Sequence, residues 1–445
     1  METEQPTCQH LIHALKSGLV PSWGLDRLTV GREAELQQLR ADLDCSRNGG
    51  AWVRFLCGGY GAGKTFLCSL LREEAWRQGF VVAAVVLGRD APLHRFEVIY
   101  QRIINGMRTD HFRQVPAFEF IVQEWLFDLE QEFQRSMGLD LFNVEHREEC
   151  SRVIAHRISA QLAGLHISDS SFASALRGYY EASQQGNEEM ASAAASWLKG
   201  DSNVSMDLRQ ALHIRGSVDK DNVFNFLQAM AALVVHIGYA GLIVIFDEAE
   251  SIRGISRPDS RNAAYESIRF LMDKTAQGEF AHCGFIVAGT NDLFNDELRG
   301  VASYQVLHDR LKPKPGRRRT AELRAPLMAL TGFDYAKLHE VAIRVRQVHG
   351  IAGGWDPLKR LPDDLLRGLI EETAARFGEK FTSVPRGFLK ALVDILDELR
   401  ESSPSSAIEI LATGIDAGRI EAVEREEAHL SDHASSMNIR YRRGR

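Results

Sequence analysis

Short runs of apolar residues alternate with amphipathic helical patterns along this chain. Five runs predict buried strands, at residues 53–57, 81–87, 242–247 and 285–290 and, more weakly, near 321–327. Helical spacing of apolar residues fills most of the intervals between them. Strands that alternate with helices predict an α/β fold, with helices covering both faces of a parallel sheet.

Two long segments show helical patterns without a strand between them. The interval between the second and third predicted strands is far too long for one crossover helix, so its patterns predict a helical insertion. A second helical region follows residue 332. We therefore expect an N-terminal arm at 1–27, a core in two parts at 28–110 and 239–328, the insertion at 111–238, a helical domain at 329–401 and a helical tail at 402–445.

The stretch GGYGAGKT at residues 58–65 follows the first predicted strand and opens a helical pattern. Its spacing is G-x-x-x-x-G-K-[ST], in which glycines let successive backbone N–H groups point at an anion. Lys64 can then reach the β- and γ-phosphates of a nucleotide, and the Thr65 hydroxyl can bind Mg²⁺. The alternative is a glycine-rich turn that carries a lysine by chance, but the strand–loop–helix context favours phosphate binding.

An acidic pair ends the third predicted strand. The sequence GLIVIFDEAESI at 241–252 places Asp247 and Glu248 directly after a fully apolar run. Carboxylates in such a place are costly unless they meet a cation. In enzymes with a phosphate-binding loop, the first acid holds the Mg²⁺ shell and the second can deprotonate the attacking water. The alternative is an acidic helix N-cap that the helix dipole stabilises.

Three further polar residues have candidate roles. Asn291 follows the next predicted strand, where its amide can lie between the γ-phosphate and the water held by Glu248; the alternative is an Asx-turn. Arg310 lies at the end of a predicted helix and Arg386 at the start of another. The planar, always charged guanidinium suits a transferring phosphoryl group, although a surface ion pair is the commoner role of an arginine.

Composition limits the partners and the cellular compartment that we expect for the protein. Of 445 residues, 44% are hydrophobic and 25% charged, and the net charge of −7 gives no overall attraction to nucleic acid or anionic membranes. No apolar run approaches the length of a membrane span, and the first 18 residues lack the pattern of a signal peptide. The 6 scattered cysteines suit reduced thiols. We therefore expect a cytoplasmic protein without membrane contact.

Taken together, these motifs resemble the AAA+ ATPases. The order of phosphate-binding loop, FDE strand end, asparagine, helix-end arginine and PR at a helix start matches that superfamily, and LTVGREAEL at 28–36 and AGTNDLF resemble its origin-recognition and Cdc6-like branch. The resemblance implies a five-stranded parallel sheet, a helical lid, ATP and Mg²⁺ as ligands, and a homo-oligomer. It assigns nucleotide contacts to Val30, Gly58, Gly59, Tyr60, Gly61, Ala62, Gly63, Lys64, Thr65, Phe66 and Arg386.

The same resemblance implies catalytic roles. Asp247 with Thr65 would serve the metal, Glu248 would be the general base, and Asn291 would sense the γ-phosphate. Arg310 would be the finger that completes a neighbouring site, with Arg299 as the competing candidate for that role.

A narrower resemblance is to the ATP-binding proteins of BREX phage-defence systems. It is carried by GGYGAGKT, LHRFEVIYQRII, SWLKG, GYAGLIVIFDEAESI and SYQVLHDRL, which span about residues 30–311. This family implies other phage-defence proteins as partners.

Basic residues concentrate in two places that suggest nucleic acid. The stretch LKPKPGRRRTAELR places Lys312, Lys314, Arg317, Arg318 and Arg319 together, and the tail ends in RYRRGR. We expect weak binding of double-stranded DNA through residues 312–319 and the tail, with a solvated charge run as the alternative.

These observations favour an ATPase that couples hydrolysis to its own assembly and to remodelling of DNA or partner proteins in phage defence. The alternatives are a slowly cycling ATP/ADP switch that recruits partners, and a DNA loader of the replication-initiator type.

Overall fold

The computed structural model describes residues 4–137, 144–164, 170–312, 323–377 and 385–402. Its centre is one sheet of six strands in the order β3-β2-β4-β5-β1-β6. The strands are β1 Ala51–Cys57, β2 Val81–Val86, β3 Met107–Arg108, β4 Leu242–Asp247, β5 Cys283–Gly289 and β6 Leu327–Ala329. All neighbouring strands pair in parallel except β2 and β3, which are antiparallel.

The predicted α/β fold with a mostly parallel sheet is confirmed, but the count of five strands is wrong. The strand that was not predicted is β3, which has only two residues, too few to show a periodic pattern in the sequence. The weak strand expected near 321–327 also begins later, at Leu327. Residues 321 and 322 lie outside the described residues, and the carbonyls of Leu323 and Ala325 accept hydrogen bonds from the Arg54 side chain instead of from a strand. Pro326 has no N–H to donate to a ladder.

Neighbouring residues of the central strands face two different hydrophobic cores. On one face the strands contribute Phe55, Val244, Phe246, Phe285 and Val287. On the other they contribute Leu56, Ile243, Ile245, Ile286 and Ala288. Side chains alternate across a strand, so an uninterrupted apolar run is what a sheet covered on both sides requires.

The helices divide between these two faces and a separate group. Beside the sheet lie α2 Glu33–Arg47, α3 Lys64–Arg77, α4 Phe96–Gly106, α11 Pro258–Ala276, α12 Asn291–Asn295 and α13 Gln305–Leu311. The segment between β3 and β4 contains α5 Phe118–Met137, α6 Val144–Gly164, α7 Ser170–Gln184, α8 Glu188–Leu198, α9 Met206–Ala211 and α10 Val223–His236. Their apolar side chains join the core on the first face of the sheet.

The polar, Ala/Ser-rich middle of this segment contains a well-defined helix. Helix α8 begins after Asn187, whose side chain accepts a hydrogen bond from the Met190 N–H and so caps the helix. Trp197 at its end is buried and donates to the carbonyl of Gly216 at 3.0 Å. The Asn187 cap stabilises the start of this helix, and the buried Trp197 side chain fixes its end.

A third hydrophobic core joins the two ends of the described chain. The N-terminal helix α1 Gln5–Lys16 packs against α14 Tyr335–Gly353 and α16 Pro385–Glu401, and α15 Asp363–Phe377 packs against α14. Buried residues shared by this terminal helical cluster include Leu11, Val345, Phe388, Leu392 and Leu396. None of the helices in the described part of the chain combines the length and apolar character that a membrane crossing requires.

A buried histidine links three members of the terminal helical cluster. His349 of α14 is 2% exposed, and its Nε2 lies 3.1 Å from Oδ1 of Asp397 in α16. The Trp355 indole N–H donates to Nδ1 of the same ring at 3.0 Å, which requires that nitrogen to be unprotonated. Asp397 also accepts a hydrogen bond from Lys16 of α1. The arrangement holds a neutral imidazole, and burial lowers the pKa of His349 despite the nearby Asp397 carboxylate.

We predict that this cluster loses stability in mild acid. The folded-state pKa of His349 lies below its ordinary value of 6.5, so the unfolded chain binds more protons as the pH falls below that value. The free energy of unfolding should therefore drop below about pH 6.5, with a contribution of at most about 1.4 kcal/mol per pH unit from this group. Denaturant unfolding between pH 7.5 and 5.5 measures it.

The matched control is His349→Gln, since an amide can accept from Trp355 and donate to Asp397 without titrating. Its unfolding free energy should depend less steeply on pH than that of the wild-type chain. Equal slopes for the two proteins would contradict the prediction.

Candidate nucleotide-binding site

The loop between β1 and α3 favours glycine for two reasons, close packing at one position and a left-handed backbone at two others. A Cβ on Gly58 would lie 3.0 Å from the Ala62 Cβ and 3.3 Å from the Leu330 Cβ, so the backbone there is closely packed. Gly61 and Gly63 have φ of 71° and 80°, a left-handed conformation that favours glycine. The loop then passes directly into α3 at Lys64.

Lys64 occupies the centre of this loop. Its side chain is buried, and Nζ donates to the carbonyls of Gly58 and Gly59 at 3.0 and 3.1 Å. Within the described residues, the backbone N–H groups of Gly61, Gly63 and Thr65 donate no hydrogen bond. An ammonium surrounded by unsatisfied N–H groups at a helix N-terminus is an arrangement that binds phosphate.

Thr65 and Asp247 meet although they are 182 residues apart in the chain. The Thr65 hydroxyl donates to Oδ2 of Asp247 at 2.8 Å. Thr65 is exposed and Asp247 half-buried, so neither residue is enclosed in the core. A hydroxyl and one carboxylate are the small protein share that Mg²⁺ takes when phosphates and waters complete its octahedron. The donor set therefore fits Mg²⁺, and the described residues contain no cluster of three or more His, Cys, Asp or Glu that would hold a metal without a nucleotide.

Glu248 adopts a left-handed conformation with φ of 56°, which is uncommon for a residue other than glycine. This turn separates β4 from the short 3-10 helix Ala249–Gly254. Desolvation raises the pKa of Glu248 above its ordinary value, the Asp247 carboxylate raises it further, and the charges of Arg386 and Lys64 oppose the shift. A raised pKa suits a carboxylate that accepts a proton from water.

Arg386 lies close enough to Glu248 for their charges to interact. It is the second residue of α16, and burial lowers its pKa while the Glu248 carboxylate opposes this. The terminal helical cluster thus brings a guanidinium toward the same place as Lys64 and Glu248.

Asn291 begins α12 and is separated from the end of β5 by Thr290. Its Oδ1 accepts a hydrogen bond from the Cys57 thiol at 3.1 Å, and burial raises the pKa of Cys57 to about 11, so the thiol keeps its proton. Cys57 is the last residue of β1 and directly precedes Gly58. The amide is therefore adjacent to the phosphate-binding loop, as expected for a group near the γ-phosphate.

Arg310 is held away from these groups by an ion pair. Its Nη1 lies 2.6 Å from Oδ1 of Asp273 in α11. Arg299 lies in the loop between α12 and α13, where it is exposed and its carbonyl accepts from the Tyr265 hydroxyl at 2.7 Å. Neither arginine contacts the phosphate-binding loop, Asp247 or Glu248 within the described residues.

The remaining predicted contacts are Val30, Phe66 and Tyr60. Val30 is 2% exposed and packs in the terminal helical cluster, and the carbonyl of Thr29 accepts from Arg344 of α14. Phe66 contacts both that cluster and the core of the sheet. Tyr60 is 51% exposed at the loop tip, with its ring centroid 5.6 Å from Nζ of Lys64. Residues 28–31 therefore lie between the loop and α14.

Two charged residues of the site were missed by the sequence reasoning. Arg32 is buried beneath the loop and donates to the Ala62 carbonyl at 2.5 Å. Glu250 has one carboxylate oxygen that is buried and accepts no hydrogen bond within the described residues; burial raises its pKa and Lys64 opposes the shift. Both lie within quoted motifs, in VGRE and FDEAESI, but nothing in the sequence distinguishes them from surface charges.

Of the basic residues at 312–319 and at the end of the tail, only Lys312 belongs to the described residues. It is exposed and follows the last residue of α13. Residues 313–319 and the tail from 403 lie outside the described residues.

A comparison with curated proteins found no match. A family model described as "BREX system ATP-binding protein BrxC/D" matches residues 4–413 of the 445, from α1 to beyond α16. This match covers the loop, the acidic pair, Asn291 and Arg386, and it confirms the resemblance to BREX ATP-binding proteins. The chain therefore belongs to the BrxC/D family of BREX-system ATP-binding proteins.

Proposed function

We propose that this chain is a Mg²⁺-dependent ATPase of AAA+ type that acts in phage defence. The observation that carries the proposal is the hydrogen bond between Thr65 and Asp247, because it places a hydroxyl and a carboxylate beside the buried ammonium of Lys64. Glu248 and Arg386 lie near the same groups, which supports hydrolysis in addition to binding. Membership in a family of ATP-binding proteins supports ATP as the nucleotide.

In the proposed hydrolysis of ATP, each of these groups has a separate role. Lys64 and the loop N–H groups would bind the β- and γ-phosphates, and Thr65 and Asp247 would hold Mg²⁺. A bound Mg²⁺ would neutralise charge on the phosphate oxygens. Water attacks the γ-phosphorus while the bond to the bridging oxygen of ADP breaks, and Glu248 accepts the proton of the water. Asn291 would orient that water.

The proposed domains of the chain are assigned from the positions of these site residues. Residues 28–110 and 239–328 would form the ATPase core, 111–238 an insertion, and 329–401 a lid that carries Arg386. The contact between Val30 and the terminal helical cluster supports a base-binding segment beneath this lid. The N-terminal helix packs on the lid helices, so we assign it to the lid and not to a free arm.

The proposed consequence of ATP binding and hydrolysis is the assembly of several copies of this chain. Arg310 is exposed at the end of α13, which supports a role toward a neighbouring copy of this chain, and Arg299 is the competing candidate. Partner defence proteins are implied by the family, and DNA contact through 312–319 and the tail is part of the same proposal. In the alternative, a switch, the bound nucleotide would be retained and turnover would be slow.

Lys64→Ala should weaken ATP binding by roughly a hundredfold, the scale of a lost charge-assisted hydrogen bond set in a desolvated site. Calorimetric titration of the purified chain with Mg·ATP measures the dissociation constant. Lys359→Ala, at an 80% exposed side chain on the terminal helical cluster, is the matched control and should bind as the wild type does. Unchanged affinity in Lys64→Ala would remove the loop from the nucleotide site.

Glu248→Gln should keep ATP bound and slow its turnover by roughly 10²- to 10⁴-fold, because an amide cannot accept the proton of the water. Phosphate release at saturating ATP measures the rate. Glu266→Gln, on the exposed face of α11, changes the charge equally and should leave the rate unaltered. Wild-type turnover in Glu248→Gln would exclude this residue as the base.

Arg310→Ala should bind ATP normally and lose roughly 10³-fold in turnover, the scale of an absent arginine finger. The specific activity of the wild type should rise with protein concentration. A mixture of Arg310→Ala and Lys64→Ala should regain part of the wild-type turnover, because Arg310→Ala keeps the loop and Lys64→Ala keeps the arginine finger.

Asp273→Asn separates catalysis from stability, because it breaks the same ion pair and keeps the guanidinium. If Asp273→Asn loses as much turnover as Arg310→Ala, the arginine acts through its ion pair. If Arg299→Ala alone abolishes turnover, the finger is Arg299. Flat specific activity across dilution, without complementation, would favour the switch.

A further inference from the structure

Arg32 connects two segments that are far apart in the sequence. Its Nη2 donates to the carbonyl of Ala62 in the phosphate-binding loop at 2.5 Å and to the carbonyl of Thr331 at 3.0 Å. Thr331 lies between β6 and α14, where the chain leaves the sheet for the terminal helical cluster. A single nitrogen atom therefore holds the loop and the start of this connection together.

The guanidinium is buried at considerable electrostatic cost. Arg32 is 2% exposed, and its carboxylate partner, Glu35 of α2, lies at the longer distance of 3.5 Å from Nη1. Burial lowers the pKa of Arg32, and Glu35 opposes the shift. The guanidinium carbon also lies 6.0 Å from the Phe333 ring centroid. A buried cation whose shortest hydrogen bonds go to two backbone carbonyls contributes defined geometry more than stability.

The hydrogen bond to Ala62 also sets the direction of a donor in the loop. The peptide between Ala62 and Gly63 is planar and trans, so its N–H points opposite to its carbonyl. With the Ala62 carbonyl turned toward Arg32, the Gly63 N–H points away from Arg32. Gly63 itself passes close over the guanidinium, since a Cβ there would lie 3.6 Å from Nη2. Arg32 thus determines the orientation of a loop amide that is free to bind an anion.

We propose that Arg32 is a positioning residue that orients the phosphate-binding loop and couples it to the segment leading into α14. The inference rests on the proposed nucleotide site and adds a route from that site to the lid helices. Nucleotide that moves the Ala62–Gly63 peptide also changes the hydrogen bond geometry at Nη2. Because the Thr331 carbonyl shares that nitrogen, the connection to the lid responds to the occupancy of the loop.

The matched control is Arg54, a second buried arginine of the same kind. It pairs with Asp42 of α2 at 2.6 and 2.7 Å and donates to the carbonyls of Leu323 and Ala325, just before β6. Arg54 thus braces the same edge of the sheet but makes no contact with the phosphate-binding loop. A purely structural role predicts similar losses for Arg32→Lys and Arg54→Lys.

The test measures Mg·ATP affinity and backbone hydrogen exchange on the full chain. Arg32→Lys should keep the charge, lose one of the two carbonyl contacts and weaken ATP binding by roughly tenfold or more, while Arg54→Lys keeps wild-type affinity. In the wild type, ATP should slow exchange both at residues 59–66 and at 330–334. In Arg32→Lys the slowing at 330–334 should be lost even at ATP concentrations that saturate the loop.

The outcomes separate the two levels of the proposal. Wild-type protein that binds no ATP overturns the proposed function, and this inference with it. Wild-type binding with unchanged affinity and unchanged exchange in Arg32→Lys overturns the inference alone, as does an equal loss of affinity in Arg54→Lys. If Arg32→Lys does not fold, the exchange experiment on the wild type still decides, because ATP that leaves 330–334 unaffected overturns the coupling.

Discussion

The structure depends on the pairing of β5 with both β1 and β4. The register aligns Cys57 with Gly289 and Phe246 with Val287, so three strands that are distant in sequence end at one edge of the sheet. Part of the candidate site lies at or just beyond the end of each strand: the glycine loop after β1, Asp247 and Glu248 at the end of β4, and Asn291 two positions after the last residue of β5. Parallel strands place their carboxyl ends together, and ligands bind at that edge in open α/β sheets.

Charge at this edge is balanced by contributions from three separate regions. The sheet supplies Asp247 and Glu248, the first turn of α3 supplies Lys64, and α16 supplies Arg386. Desolvation raises the pKa of Glu248 and lowers the pKa of Arg386, and each opposes the shift of the other. The site is therefore complete only when the terminal helical cluster is docked against the sheet.

Docking of that cluster involves both ends of the described chain. Helix α1 packs on α14 and α16, and Lys16 bonds to half-buried Asp397, the partner of buried His349. Val30 and Arg32 follow in the next segment, one packed in the cluster and the other hydrogen-bonded beneath the loop. Residues 5–32 thus run from the cluster to the phosphate-binding loop, which makes this segment the physical link between them.

The sequence alone determined the class of fold and named most residues of the candidate site. Apolar runs are typical of a sheet buried on both faces, and the loop motif between strand and helix is typical of phosphate binding. These motifs and the polar residues at the strand ends made Lys64, Thr65, Asp247, Glu248 and Asn291 predictable as candidates. Their motifs are local, because glycine conformation, a helix N-terminus and a strand end are each properties of a few consecutive residues.

Tertiary structure decided what depends on distant partners. A two-residue edge strand, the docking of α1 on the last helices, the ion pair of Arg310 with Asp273 and the buried position of Arg32 have no local signal. The local sequence does not show whether an arginine faces solvent or two carbonyls, because its environment is formed by residues tens to hundreds of positions away. For Arg32 those residues are Ala62 and Thr331, and only the folded chain brings them to one nitrogen atom.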